Sequence, residues 1–231
     1  MPRGAALSSP CGKDFRARER KRSNIKGGYG WRVAQRWKPV GSPDGRRIVT
    51  DSSEVNLEPL FERVVACLRK ERISYALIGA WALAVWGQPR ATGDVDFLVL
   101  IDELNLARLG ERLTQAGLTL DESFSLWNPL LRGLQLRFQL AGLTVDLLRP
   151  RDAHDQQIFR RRRRQRLAGR YYWVVSPEDF ILQKIKVGRP RDFEDALVVL
   201  ENSARKLDRR YLQRWADRIG VAMELRHILS L

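Results

Sequence analysis

Asp94 and Asp96 stand one residue apart in Gly93-Asp94-Val95-Asp96-Phe97, where a mostly apolar stretch begins that runs to Ile101. A strand alternates its side chains, so both carboxylates project from one face of a sheet. Held that close, they repel each other unless a cation lies between them. Hard oxygen donors suit Mg²⁺ (or Mn²⁺), which takes one or two carboxylates together with phosphate oxygens. A third acid, Asp146, interrupts the apolar alternation Leu143, Val145, Leu147 and faces away from those three. An aspartate on so apolar a strand needs a partner, and a shared metal provides one. Upstream, Leu77-Ile78-Gly79-Ala80 reads as a strand that stops at Gly79 and a helix that starts at Ala80. A glycine there lets backbone approach a phosphate, and the helix N-terminus favours its charge. The candidate catalytic and metal-ligating residues are therefore Asp94, Asp96 and Asp146, with Gly79 and Ala80 as phosphate-binding backbone.

Other charged residues have two readings each. Arg90, just before the acid pair, is a phosphate contact or a surface arginine after the Gln88-Pro89 turn. Lys184 lies in the largely apolar Phe180-Ile181-Leu182-Gln183-Lys184-Ile185, so its ammonium either points at the site or snorkels to water. Arg191 and Asp195 are spaced for an i, i+4 helix pair, an architectural role. The unbroken run Arg160 to Arg164 is either a solvated helix end or a phosphate-backbone patch, with Arg161, Arg162 and Arg163 as the nucleic-acid-binding candidates. His154 and His227 stand apart without metal-ligand spacing. There is no Cys/His cluster, no nucleophile elbow and no Walker-type loop.

These residues need elements to position them. Asn56 is placed to cap a helix that ends near Arg72 and carries Val64, Cys67 and Leu68 at helical spacing. Strands follow at Ser74–Gly79 and Val95–Ile101, with a short helix Ala80–Trp86 between them. Asp102 is spaced to cap a helix with Leu106, Leu109 and Leu113 on one face, ending at Gly117. Residues 118–133 show no clear period. Leu134 to Leu140 and Leu143 to Leu147 alternate around Ala141-Gly142, a hairpin. Tyr171 to Val175 is a further strand. Ser176-Pro177-Glu178-Asp179 is a helix start, and two or three more helices fill Pro190 to Leu231. That order is α/β or α+β with a helical C-terminal part.

The 231 residues carry 42 Lys/Arg against 27 Asp/Glu, a net charge of +15. Residues 1–50 hold 13 basic and 3 acidic residues, which leaves 29 and 24 for the remainder, so the body is only mildly basic. The division expected is a basic, disordered tail over 1–53, a catalytic core over 54–175, and a helical part over 176–231 packed on that core. Trp31 and Trp37 among the tail arginines suit stacking on single-stranded nucleic acid, but composition alone fits a disordered tail, an upstream start codon or an organelle transit peptide. No stretch reaches the roughly 18 apolar residues of a membrane span, and Cys11 and Cys67 form no disulfide framework. A reducing, cytoplasmic compartment is expected.

The stretch Ile78-Gly79-Ala80, a spacer, Asp94-Val95-Asp96-Phe97, and a later strand with Asp146 resembles the nucleotidyltransferase superfamily built on a polymerase-β-like palm. Within it, Gly79-Ala80-Trp81-Ala82, Arg90-Ala91-Thr92, Ser176 to Asp179, Lys184, and Arg189 with Asp192 and Asp195 are similar to the AbiEii-like minimal nucleotidyltransferases of bacterial toxin–antitoxin loci. The likeness covers residues from about 75 to 200. It departs at Ala80, where many members have Gly or Ser, so that only the amide is offered. The resemblance implies transfer of a nucleoside monophosphate from a nucleoside triphosphate such as ATP to an acceptor hydroxyl on RNA (tRNA included), protein or a small molecule. It implies a core with a mixed sheet flanked by helices, Mg²⁺ on Asp94, Asp96 and Asp146, and nucleotide contacts from Gly79, Ala80, Arg90 and Lys184. A cognate antitoxin or toxin is an implied partner. The alternative is a non-catalytic palm-fold antitoxin or RNA-binding partner.

Overall fold

In the computed structural model, which describes residues 58–231 apart from 141, 168 and 204–206, the acid-bearing strand lies at the middle of the sheet. The expected tail, with Trp31, Trp37 and the cap Asn56, lies outside the described residues. The strands are β1 (Ser74–Leu77), β2 (Asp94–Leu100), β3 (Thr119–Leu120), β4 (Gln135–Leu140), β5 (Leu143–Leu148), β6 (Arg163–Leu167) and β7 (Arg170–Val174). They form one seven-stranded sheet in the order β3-β4-β5-β2-β1-β7-β6. β2 runs parallel to β5 and β1 parallel to β7, and the remaining pairs are antiparallel. This is the mixed α/β sheet flanked by helices that the sequence implies.

β2 is central because Val95, Phe97, Leu98 and Val99 supply apolar groups to both faces, and all four are buried. Helices α1 (Glu58–Lys70), α2 (Gly79–Trp86) and α3 (Glu103–Gln115) follow the expected pattern. The Phe61 ring of α1 lies 5.0 Å from that of Trp81, 6.1 Å from Phe97 and 5.4 Å from Tyr172, which joins α1, α2, β2 and β7. Asp102 caps α3 by accepting the Asn105 amide, as its position suggests.

Helix α6 (Pro177–Val187) starts with the Ser176 hydroxyl accepting the Asp179 amide and Pro177 in the first turn. It ends at Gly188, whose φ of +75° is the left-handed conformation that closes helices. Pro177 to Leu182 and Ile185 are all buried, because α7 (Pro190–Ser203), α8 (Arg209–Ile219) and α9 (Ala222–Leu229) pack around this helix.

Two segments differ from expectation. Residues 118–133 hold β3, helix α4 (Glu122–Trp127) and a 3-10 turn at Pro129–Leu131. Local polar bonds hold this start: Asp121 accepts the Phe124 amide and the Ser123 hydroxyl. The arginine run divides between the end of helix α5 (Ala153–Arg161) and β6. β6 reads Arg-Arg-Gln-Arg-Leu and has no apolar alternation to betray it. As the edge strand it pairs only with β7, and charged side chains are what edge strands tolerate.

Candidate active site

The acids form a row across neighbouring strands. Asp96 is the register partner of Asp146 across β2 and β5, and Arg137 is the partner of Asp146 across β4 and β5. Directly paired residues share a sheet face. Arg137 holds Asp146 with both ends of its fork: Nε donates to Oδ1 at 2.8 Å and Nη2 to Oδ2 at 2.7 Å. The Arg137 guanidinium itself stacks 4.1 Å from the centre of the Phe124 ring of α4. Asp94 is exposed at the strand start, where the Trp81 indole donates to its carbonyl at 3.1 Å.

Gly79 borders the row on the other side. The Ile78 amide donates to the Asp96 carbonyl at 3.0 Å. A Cβ on Gly79 would lie 2.0 Å from Asp96 Oδ2, and its φ is +62°. The glycine is thus required by the neighbouring carboxylate and by a left-handed backbone. Ala80 is buried in the first turn of α2, which starts one residue earlier than expected. Burial, then Asp146, then Asp94 push the Asp96 carboxyl up to about 6, against the opposing pull of Lys184 and Arg137.

A second group of charges stands beside the row on α6 and α7. Lys184 donates to Asp192 Oδ1 at 2.9 Å and to Asp195 Oδ2 at 2.7 Å, and only 11% of its side chain is exposed. It does not snorkel. Arg90 donates to Asp195 Oδ2 at 3.4 Å, and Arg189 Nε donates to Asp192 Oδ2 at 2.7 Å. Asp195 is therefore matched by Lys184 and Arg90 rather than by Arg191. Burial pushes the Asp192 carboxyl up, but the hydrogen bonds from Arg189 and Lys184 outweigh it and hold the group below its ordinary value. Lys184 and Arg90 come together on Asp195, and Lys184 is near enough to Asp96 to act on its charge.

Arg161, Arg162 and Arg163 do not form one patch. Arg161 lies 3.3 Å from Glu178 Oε2 and stacks 3.8 Å from the Tyr211 ring centre. Arg163 donates to both oxygens of Glu178 at 3.4 Å. Arg162 lies against Trp173. Buried Glu178 and Asp179 draw Arg161 and Arg163 inward, which a helix with solvated arginines all round would not do.

Sequence reasoning misses two features. Arg137 had a usable signal: with a two-residue loop at 141–142, counting back along the hairpin sets it opposite Asp146. His154 reads as standing apart, although Asp152 and Asp155 lie within two residues of it in sequence; only its contact with Asp179 is brought by packing. It is fully buried, with Nε2 3.2 Å from Asp179 Oδ1. One donor atom each from Asp152, His154 and Asp155 lies within 4.8 Å of the others, a second group of metal-type ligands. Lys186 already pairs there with Asp152 and, at 3.8 Å, with Asp155.

No family model matches the chain, and no curated protein matches it. Among solved structures, the chain is similar to the antibiotic-resistance factor ANT(2'')-Ia at 14% identity, over 73% of this chain and 95% of that one, with a TM-score of 0.47. A nucleotidyltransferase-like antigenic protein from Paracoccidioides brasiliensis matches at 16% identity, over 74% and 91%, with a TM-score of 0.46. The lincomycin-bound lincosamide adenylyltransferase LnuA matches at 14%, over 62% and 94%, with a TM-score of 0.44. No described helix is long and apolar enough to cross a membrane.

Proposed function

We propose that the chain is a metal-dependent nucleotidyltransferase, with the active site at Asp94, Asp96 and Asp146. One observation carries this reading. Every buried carboxylate among the described residues has a cationic side chain within 4.0 Å, whereas Asp94 and Asp96 have none. Two neighbouring carboxylates with no cation in contact, one with its pKa pushed up to about 6 despite the more distant Lys184 and Arg137, would suit a bound cation.

Asp94 and Asp96 would hold Mg²⁺, which supplies charge neutralisation at the phosphates and lowers the pKa of a bound hydroxyl. The acceptor oxygen attacks the α-phosphorus of the triphosphate. A new P–O bond forms as the α–β bridging bond breaks, pyrophosphate leaves, and the hydroxyl proton passes to solvent. The chain's own part is positioning. The backbone at Gly79 and Ala80 meets the phosphates at the start of α2, Lys184 and Arg90 add positive charge beside them, and Asp146 orients the acceptor side. The resemblance to the AbiEii-like group extends the proposal to a toxin–antitoxin setting.

The test is incubation with each α-labelled nucleoside triphosphate, Mg²⁺, and cellular RNA or protein. Label should enter one fraction with the wild type and not with Asp96→Asn. Equal labelling by both would refute the assignment. A non-catalytic reading is favoured by one feature, since Arg137 occupies both oxygens of Asp146. Absence of Mg²⁺-dependent pyrophosphate release with every triphosphate and a tRNA acceptor would select it.

A further inference from the structure

Strand alternation divides the arginine run into two sets with different surroundings. Arg163 turns to Glu178, which Arg161 also meets from the end of α5. Arg164 and Arg166 turn the other way. The β6–β7 register sets them opposite Trp173 and Tyr171, so these four share one face of the hairpin. Trp173 is 38% exposed and Tyr171 51%, large aromatic areas to leave in water. The Arg164 guanidinium lies 4.7 Å from the Tyr171 ring centre, and that of Arg162 lies 4.9 Å from Trp173.

No described carboxylate pairs with Arg162, Arg164 or Arg166. Arg162 goes further: its Nη1 is buried without a hydrogen-bond partner. Burial also lowers its pKa, opposed only by the Tyr75 hydroxyl and by no carboxylate. Arg90 Nε and Arg161 Nε are also buried without a hydrogen bond, but each of those guanidinium groups has a carboxylate within 4.0 Å and that of Arg162 has none among the described residues.

We propose that this face of the β6–β7 hairpin binds a single-stranded nucleic acid. Its bases stack on Trp173, Tyr171 and the guanidinium planes lying over them, and its phosphates meet the exposed Arg164 and Arg166. The pairing of flat rings with unpaired cations decides the ligand class. An acidic peptide would use the charge but not the rings, and a duplex keeps its base faces stacked internally. A polynucleotide is then the acceptor in the nucleotidyl-transfer reading on which this builds, but binding is measured without turnover. A full-length chain that binds and never transfers would refute that reading and leave this one standing.

The experiment is fluorescence anisotropy with a labelled short oligouridylate, the matching oligodeoxythymidylate, an RNA duplex, heparin and a polyglutamate peptide. The wild type should bind the single strands more tightly than the duplex, and the RNA and DNA arms show which sugar is preferred. Trp173→Ala with Tyr171→Ala should weaken single-strand binding about 5- to 150-fold for each base that no longer stacks, and leave heparin binding unchanged. Phe at both positions should restore affinity, which separates stacking from misfolding. Arg164→Gln with Arg166→Gln should flatten the salt dependence of log affinity by about 0.7 for each phosphate no longer neutralised. Wild-type affinity in the double alanine variant would overturn the proposal. So would heparin, duplex or polyglutamate binding as tightly as the single strand, or no single-strand binding at about 50 mM salt.

Discussion

Asp96→Asn should make the protein more stable while destroying the proposed activity. In the folded chain the Asp96 carboxyl has a pKa of about 6 against 3.8 for the free group, chiefly through burial and then through Asp146 and Asp94. Each pKa unit is worth about 1.4 kcal/mol, so keeping the group ionised costs the folded state about 3 kcal/mol. Screening by water trims this to about 2–3 kcal/mol. The folded carboxyl holds its proton more tightly than the unfolded one. Its contribution to stability is therefore complete below about pH 4 and is lost as pH rises through about 6. Asparagine has the same shape and no charge to lose. At about pH 8 the variant should melt roughly 5–10 °C above the wild type, and the gap should close as the pH falls towards about 4. Mg²⁺ should raise the melting temperature of the wild type and not of the variant. Differential scanning calorimetry across that pH range reads both effects. A variant less stable than the wild type at about pH 8, or a gain that does not change with pH, would refute the electrostatic account.

Lys184→Met should do the reverse. It leaves Asp192 and Asp195 without their shared ammonium, at 2.9 and 2.7 Å, and should cost about 3–5 kcal/mol in urea unfolding. Adding Asp195→Asn to that variant should recover part of the loss. Gly79→Ala places a methyl 2.0 Å from Asp96 Oδ2 at a φ of +62°. It should cost about 1–3 kcal/mol in backbone strain and abolish the Mg²⁺-dependent rise in melting temperature, whereas Gly93→Ala, with open space around its Cβ, should keep that rise.

The fold was legible where apolar period and capping chemistry agree. The apolar run Phe97–Leu100 of β2, the alternation of β4 and β5, and the cap at Ser176 each fix an element locally. β6 was hidden because an edge strand paired on one side needs no apolar stripe, and its arginines read as a helix end. The acid pair could be read because a spacing of two is a statement about one sheet face. Its partners were harder. The register between β2 and β5, which brings Asp146 beside Asp96, is a long-range property of a parallel pair that no local turn sets. The same holds for Lys184: its neighbours Asp192 and Asp195 lie on the next helix, and only the packing of α6 against α7 decides between them and solvent. Gly79 reads in the sequence as a phosphate contact, yet in the fold its nearest neighbour is a carboxylate that only the sheet delivers.

The distribution of charge partners bears on function more strongly than any single motif. Asp146 has Arg137, Asp155 has Arg151 and Lys186, Glu178 has Arg161 and Arg163, and Asp192 and Asp195 share Lys184. Burying a carboxylate without such a partner costs several kcal/mol, so these pairings are what folding stability requires. Residues 51–231 carry 29 basic and 24 acidic groups, so cations are not scarce in the body. Arg162, Arg164 and Arg166 sit on the hairpin face with no described acid beside them. A sequence shaped by stability alone would bring a spare arginine to Asp94 and Asp96, or would replace one of them by asparagine. It does neither, and it sets a glycine against Asp96 so that the carboxylate fits with no cation in contact, Lys184 and Arg137 acting on it only from a distance. In the function and the binding face proposed above, the acids would meet a metal-bound polyphosphate and the arginines a phosphate backbone, two forms of the same chemistry.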